Sequence, residues 1–251
     1  MDAKTIVETD IYIVNGTFRF PNAPIPSNDF IGVDPKKTLP LDSQSDKNLL
    51  LGYNANEGNY FIIYTDVWYG LMKNECKINH TQFLQGIDGA ILNPVGDNAS
   101  ELLKNNTKEF SEFLYTQGRK PENLRKRSTC LRSEGERNCD SKSFMHALQS
   151  SDTETFYRDR LDDMVGDVAV VCPLLDLADK RSEGGEGSVY FYHFVQRSSQ
   201  NPWPEWMGVM HGYEIEFVFG LPLDESLKYT AHEQELSRNM MRLWANFART
   251  G

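Results

Sequence analysis

The 251-residue sequence contains no run of about 18 apolar residues, so no segment reads as a membrane-spanning helix. Residues 1–20 lack a basic stretch followed by an apolar one, so Met1 is not expected to open a signal peptide. Neither C-x-x-C nor H-x-x-x-H spacing occurs, which argues against a zinc site, and no metal is expected. Positive charge is in short supply: 26 Lys+Arg face 36 Asp+Glu, a formal net charge of −10. An acid surplus disfavours non-specific nucleic-acid binding and favours cationic ligands at long range. Cysteine is scarce too, at four. Cys130 and Cys139 bracket a polar loop and could close a small disulfide ring in an oxidising compartment. Cys76 and Cys172 have no evident partner in the chain. With 39% apolar and 25% charged residues, the chain is neither disordered nor fibrous.

Three blocks follow one another. Residues 1–72 and 156–251 are dense in apolar runs, whereas 73–155 are rich in Asn, Ser, Lys, Arg and Glu with weak periodicity. Asn48–Tyr53 is a short apolar run stopped by Asn54-Ala55-Asn56, the pattern of a buried parallel strand with a loop at its C-terminal end. The run Tyr60–Tyr64 is too apolar for a surface loop. Ser188–Val195 is β-branched and aromatic, follows the turn residues Gly184–Gly187, and predicts a second buried strand. Near the end, Thr230 and Glu233 form a T-x-x-E capping box. Leu236, Met240, Leu243, Trp244 and Phe247 then fall on one helical face. Strands separated by helical segments predict an α/β sheet. The basic residues Arg119, Lys120 and Arg125–Arg127 read as a solvated loop. Sequons at Asn15, Asn79, Asn98 and Asn105 are glycosylation candidates, and three lie in the polar stretch, which favours a secreted protein.

Catalysis at the C-terminal ends of parallel strands needs a base and a group that orients it. Of five histidines, His80 and His146 sit in the polar block and His232 in the first turn of the last helix. His193 lies inside a strand and reads as a core residue. His211 differs, because it falls in a Pro- and Gly-punctuated aromatic loop, Trp203–Glu214, after that strand. Such loops carry function.

The segment Trp203–Gly220, WPEWMGVMHGYEIEFVFG, closely resembles the catalytic-histidine segment of cholinesterases, within the type-B carboxylesterase family. Leu50–Phe61 resembles the acid-bearing loop of that family. Leu161–Asp167 through Cys172–Leu174, the helix of Ala231–Gly251, and Phe18-Arg19-Phe20, which is similar to an acetylcholinesterase acyl-pocket segment, extend the resemblance. It fails over 73–150, which reads as a divergent polar insertion within the domain. The resemblance implies the C-terminal portion of an α/β-hydrolase domain spanning 1–251, with a mostly parallel sheet and flanking helices. It implies a Ser–His–Glu triad with His211 as general base and Glu57 orienting it, in the family's chain order. Tyr60, Phe61, Tyr64, Trp203 and Tyr213 would line the substrate gorge, where aromatic faces attract a quaternary ammonium. Phe18 and Phe20 would restrict the acyl pocket to acetyl size, while Trp206, Phe217 and Phe219 read as packing.

The nucleophile is not in the sequence. No serine sits in G-x-S-x-G, since Ser133 and Ser182 have only the downstream glycine, and no HGGG-type oxyanion loop occurs. The resemblance places both upstream of Phe18, and places the disulfide partner of Cys172 beyond Gly251. It implies a substrate that is a choline ester, acetylcholine foremost, with no cofactor, and allows a homodimer of the complete protein. It also implies a secreted or extracellular cell-surface location. A cholinesterase-like adhesion or ligand-binding domain and a general carboxylesterase are the competing readings. Keeping both Glu57 and His211 argues against the first; Phe18, Phe20 and the aromatic set at 60–64 argue against the second.

Overall fold

The computed structural model describes residues 46–63, 76–92, 100–118, 153–184 and 187–251. Phe18, Phe20, Tyr64, Asn15, Asn98, Cys130, Cys139 and His146 lie outside them, as does the basic run at 119–127. In chain order the elements are β1 (Leu49–Asn54), α1 (Glu57–Ile63), α2 (His80–Ile87), α3 (Glu101–Phe113), α4 (Thr153–Gly166), α5 (Cys172–Gly184), β2 (Val189–Phe194), α6 (Ile215–Val218) and α7 (Ala231–Thr250). π-helical turns at Asp88–Leu92, Leu114–Gly118 and Asp167–Val171 prolong α2, α3 and α4. The chain divides into two compact units, one with described residues 46–60 and 166–251, the other with 61–165.

In the first unit β1 and β2 pair in parallel, from Leu49 opposite Val189 to Asn54 opposite Phe194. Both runs expected as strands are therefore strands and pair in parallel, but neither is buried as expected: β1 is half-buried up to Asn54, and β2 leaves Tyr190 and Phe191 exposed, because the described residues cover the two-stranded sheet only in part. Gly52 is required where it stands, since a Cβ there would fall 2.2 Å from the Tyr192 ring. Beneath the strands, Phe194, Val209, Phe217 and Met240 form a core, flanked by Tyr192, Val218, Leu236 and Trp244. Complete burial of a ring such as Phe217 is worth about 2–3 kcal/mol.

Helix α7 starts at the expected capping box. Thr230 Oγ1 accepts from Glu233 N at 3.3 Å, and Thr230 N donates back to Glu233 Oε2 at 2.8 Å. Its inward face departs from the expected one. Leu243 is exposed, whereas Ser237 is buried with its hydroxyl donating to the Phe217 carbonyl at 2.8 Å. The face runs Glu233, Ser237, Met240, Trp244, so the helix is turned toward its shorter side chains where α6 approaches. Two further expectations are corrected. His193 is exposed and stacked on Tyr53 at 4.6 Å, not a core group, because it points to the outer face of a half-covered sheet. Phe219 is 80% exposed, not packed, because the chain turns at Gly220 (φ 81°) just beyond it.

The second unit contains most of the polar block, whose weak periodicity hides well-capped helices. Asn79 and Gln82 form a reciprocal capping box at α2, and Ser100 caps α3. Phe83 stacks on Tyr157 at 5.3 Å, and Gly86 lets α2 and α4 approach, since a Cβ would fall 2.6 Å from Leu161. Asn79 and Asn105 are exposed. Cys76 is buried, which pushes its thiol up to about 11 against the opposing pull of Arg158. Cys172 is exposed at the start of α5, and no disulfide forms among the described residues. No helix among them is long and apolar enough to cross a membrane.

Candidate active site

The site assembles where β1 and β2 end. Chain continuation past β1 is held by Ala55 N donating to the Phe194 carbonyl at 3.0 Å, and Asn56 N donating to the Val209 carbonyl at 2.9 Å. Asn56 Oδ1 in turn accepts from Val209 N at 3.0 Å. The histidine loop thereby lies alongside the β1 extension like a further strand, with Asn56 bridged in parallel to Met210. Glycine is needed at two points of that loop. Gly208 has φ 61° and a Cβ there would fall 2.0 Å from Asn56 Oδ1, and Gly212, next to the histidine, has φ 82°. Arg197 steadies the loop from the end of β2, donating to the Trp203 carbonyl at 2.6 Å and the Gly208 carbonyl at 3.4 Å.

Glu57 stands in the first turn of α1, a helix where a loop was expected. The change follows from Gly58–Ile63 continuing directly into the apolar run, which buries Ile62 and Ile63. Its carboxylate is 6% exposed. Oε1 accepts from Asn54 N at 2.6 Å and Oε2 meets His211 Nδ1 at 2.6 Å. A carboxylate offers only acceptors, so Nδ1 must carry the proton and Nε2 is the nitrogen available as a base. Gly166 permits close backing of this turn, as a Cβ there would lie 3.3 Å from the Glu57 Cβ.

His211 itself is about half exposed, with a side-chain exposure of 45%. Its pKa is raised above the usual imidazole range. The hydrogen bond to Glu57 is the main cause, burial opposes it, and the charges of Glu57 and Glu214 add to it. Asn54, buried at the end of β1, donates from Nδ2 to the Met210 carbonyl at 2.7 Å and to Glu214 Oε2 at 2.5 Å. Burial, with the charges of Glu214 and then Glu57 adding to it, lifts the pKa of Tyr192 to about 12. The arrangement suits proton abstraction at Nε2, with the resulting imidazolium stabilised by a fixed, water-poor carboxylate.

Of the aromatic residues singled out in the sequence, Tyr60 lies 5.9 Å from His211, ring to ring. Trp203 and Tyr213 are half-buried and joined, the indole N–H donating to the Tyr213 hydroxyl. Phe61 is half-buried in α1. Sequence reasoning missed Asn54, Asn56, Arg197 and Glu214. A run of two asparagines within the three residues before Glu57 is a visible signal for strand-end hydrogen bonding. The roles of Arg197 and Glu214 had no comparable signal. No cluster of His, Cys, Asp or Glu suited to a metal occurs among the described residues.

Comparison with known proteins bears on this geometry. Residues 2–251 match the carboxylesterase family. The chain is 37% identical to acetylcholinesterase of Bungarus fasciatus over 236 residues, covering 93% of this chain and 32% of that protein. It is 35% identical to acetylcholinesterase of Electrophorus electricus (94% of this chain, 36% of that one) and 36% identical to cholinesterase of Mus musculus (91% and 31%). It thus spans about a third of the length of the curated relatives it matches. A parallel strand pair whose ends present a carboxylate-bound histidine, in a sequence matched to one family almost from end to end, places this chain in the carboxylesterase family.

Proposed function

We propose that this chain supplies the base and the orienting acid of a Ser–His–Glu esterase whose serine lies outside the sequence, and that its substrates are choline esters, acetylcholine foremost. The 2.6 Å contact between His211 Nδ1 and Glu57 Oε2 carries the proposal. His211 Nε2 takes the proton of the serine as its oxygen attacks the ester carbonyl. Nε2 then delivers that proton to the departing choline oxygen, leaving an acyl-enzyme. Water repeats the sequence in the second half, attacking the acyl carbon as Nε2 receives its proton. Glu57 holds the tautomer and offsets the charge of the imidazolium.

The choline preference draws support from the relatives, named acetylcholinesterase and cholinesterase, and from Tyr60 beside the base. By the family resemblance we assign Phe61, Tyr64, Trp203 and Tyr213 to substrate binding as well, and Phe18 and Phe20 to acyl-group selection. We further assign the protein to the secreted or cell-surface compartment as a glycoprotein, with exposed Asn79 and Asn105 as acceptors. The polar 73–150 segment is an insertion within the domain, and a homodimer is its assembly.

In the full-length protein, His211→Ala should lower kcat on acetylthiocholine by about 10⁴-fold or more, and Glu57→Gln by a similar factor, with the fold retained. Near-normal turnover by either variant rejects the assigned roles. Equal loss on an ester lacking the ammonium, with no preference for choline in the parent protein, rejects the substrate class instead.

A further inference from the structure

We infer that Asn54 is a positioning residue that sets the register between the acid and the base, an inference that rests on the triad reading above. One residue reaches both partners. Its backbone N–H donates to Glu57 Oε1 at 2.6 Å, while its side chain holds the loop residue preceding His211, through the Met210 carbonyl at 2.7 Å. The second amide hydrogen goes to Glu214 Oε2 at 2.5 Å, three residues beyond His211. The histidine is thus pinned on both chain sides from a single amide on β1.

Chemistry fixes the amide orientation, because a carbonyl and a carboxylate are both acceptors and only Nδ2 can serve them. Asn54 is 1% exposed, so water does not substitute for these bonds, and among the described residues its buried Oδ1 has no hydrogen-bond partner. An unsatisfied buried oxygen carries a cost, and the position tolerates it while both amide hydrogens are used. Aspartate would have the same shape but would present an acceptor to two acceptors, one of them charged. Neither Asp nor Ala removes the backbone N–H, so Glu57 keeps its own anchor and the His211 loop alone is released.

The test uses the full-length protein and two measurements: steady-state kinetics, and the downfield NMR resonance of the Nδ1 proton that His211 shares with Glu57. Asn54→Asp should lower kcat by about 100-fold with KM changed by less than about threefold, the scale of a base displaced by an ångström. The downfield resonance should shift or vanish while the thermal transition stays cooperative. Combining it with Glu214→Gln reverses the polarity of one bond, since the glutamine amide can donate to the new carboxylate. This double variant should recover kcat by about tenfold over the single one. If the Asp variant does not fold, Asn54→Ala removes the donor without adding charge and carries the same expectation. An unchanged resonance with kcat within about threefold, or strictly additive effects in the double variant, overturns the inference. If the parent protein hydrolyses no choline ester, the substrate proposal fails, and the resonance alone decides the role of Asn54.

Discussion

His211 must be neutral to accept a proton, and its surroundings favour the charged form. The hydrogen bond to Glu57 comes first, with the Glu57 and Glu214 charges behind it, and partial burial pulls the other way. The sign follows directly: the base is lost as pH falls through a folded-state pKa above the ordinary value of about 6.5. The acid limb of kcat/KM should therefore lie above that value. Glu214→Gln keeps an acceptor for Asn54 but removes one charge, so the limb should move to lower pH with kcat largely kept. A limb that stays in place, measured across pH on the full-length protein, would show that Glu214 does not act on His211. For stability the same shift has the opposite consequence, because the charged pair contributes below the unfolded value and fades as pH rises through the folded one. At this scale His211 stood out in the sequence by its Pro- and Gly-punctuated aromatic loop, whereas Glu57 stood out only through a family motif. Asn54 was marked only as a strand-end asparagine, since its side-chain partners Met210 and Glu214 lie far along the chain, and Arg197 carried no signal although it reaches carbonyls only six and eleven residues on.

Helix α7 was the most legible element, for a physical reason: a capping box is local, and Thr230 with Glu233 declares it three residues apart. What the local pattern could not reveal is that Glu233 also serves a second segment. Its carboxylate accepts from Ser199 N at 2.5 Å and Ser199 Oγ at 2.6 Å besides Thr230 N and Oγ1. Burial alone would raise its pKa, but these hydrogen bonds outweigh burial and leave it below the usual carboxylate range. A lowered folded value means stability present above the unfolded pKa of about 4.3 and lost as pH falls through the folded one. Glu233→Gln gives up the charge and one acceptor oxygen, and should cost about 2 kcal/mol. Thr230→Ala, which removes the cap acceptor and one of the four donors to Glu233, should cost about 1 kcal/mol. Chemical denaturation at neutral pH measures both, and the gap between Glu233→Gln and the parent should narrow in acid. The helices of the polar block were not legible, because α3 presents Leu103, Phe110 and Phe113 to solvent and so lacks a clean apolar face. The inward face of α7 was misjudged at Leu243 because the buried Ser237, bonded to the Phe217 carbonyl, marks the inward direction, and Leu243 lies about 120° around the helix from it.

The fold is the α/β-hydrolase fold, and its class was readable because parallel strands leave near-continuous apolar runs. Its extent was not, since the described residues contain a sheet of only two strands. Among the described residues each strand of the pair has an edge without a neighbour, and β2 leaves Tyr190 and Phe191 exposed. Val195, Ile215, Phe219 and Leu221 are exposed nearby in sequence on the same unit. Unpaired edges and contiguous apolar surface are aggregation-prone unless another segment covers them. The sequence also has no G-x-S-x-G to supply a nucleophile. Both features lead to one expectation for the 251-residue chain produced alone. It should show no serine-dependent turnover of acetylthiocholine, and it should bind a hydrophobic dye and unfold over a broad range of temperature. The full-length protein should bind little dye and melt sharply, because the apolar side chains that expose themselves here would face further strands and helices. The comparison separates the two causes of inactivity. Adding His211→Ala to the isolated chain should change neither its dye binding nor its absent activity, since the histidine has no nucleophile to serve. A sharp cooperative transition without dye binding would mean that two strands and their helices suffice as a stable unit, and any turnover lost on His211→Ala would mean that the chain holds a nucleophile of its own.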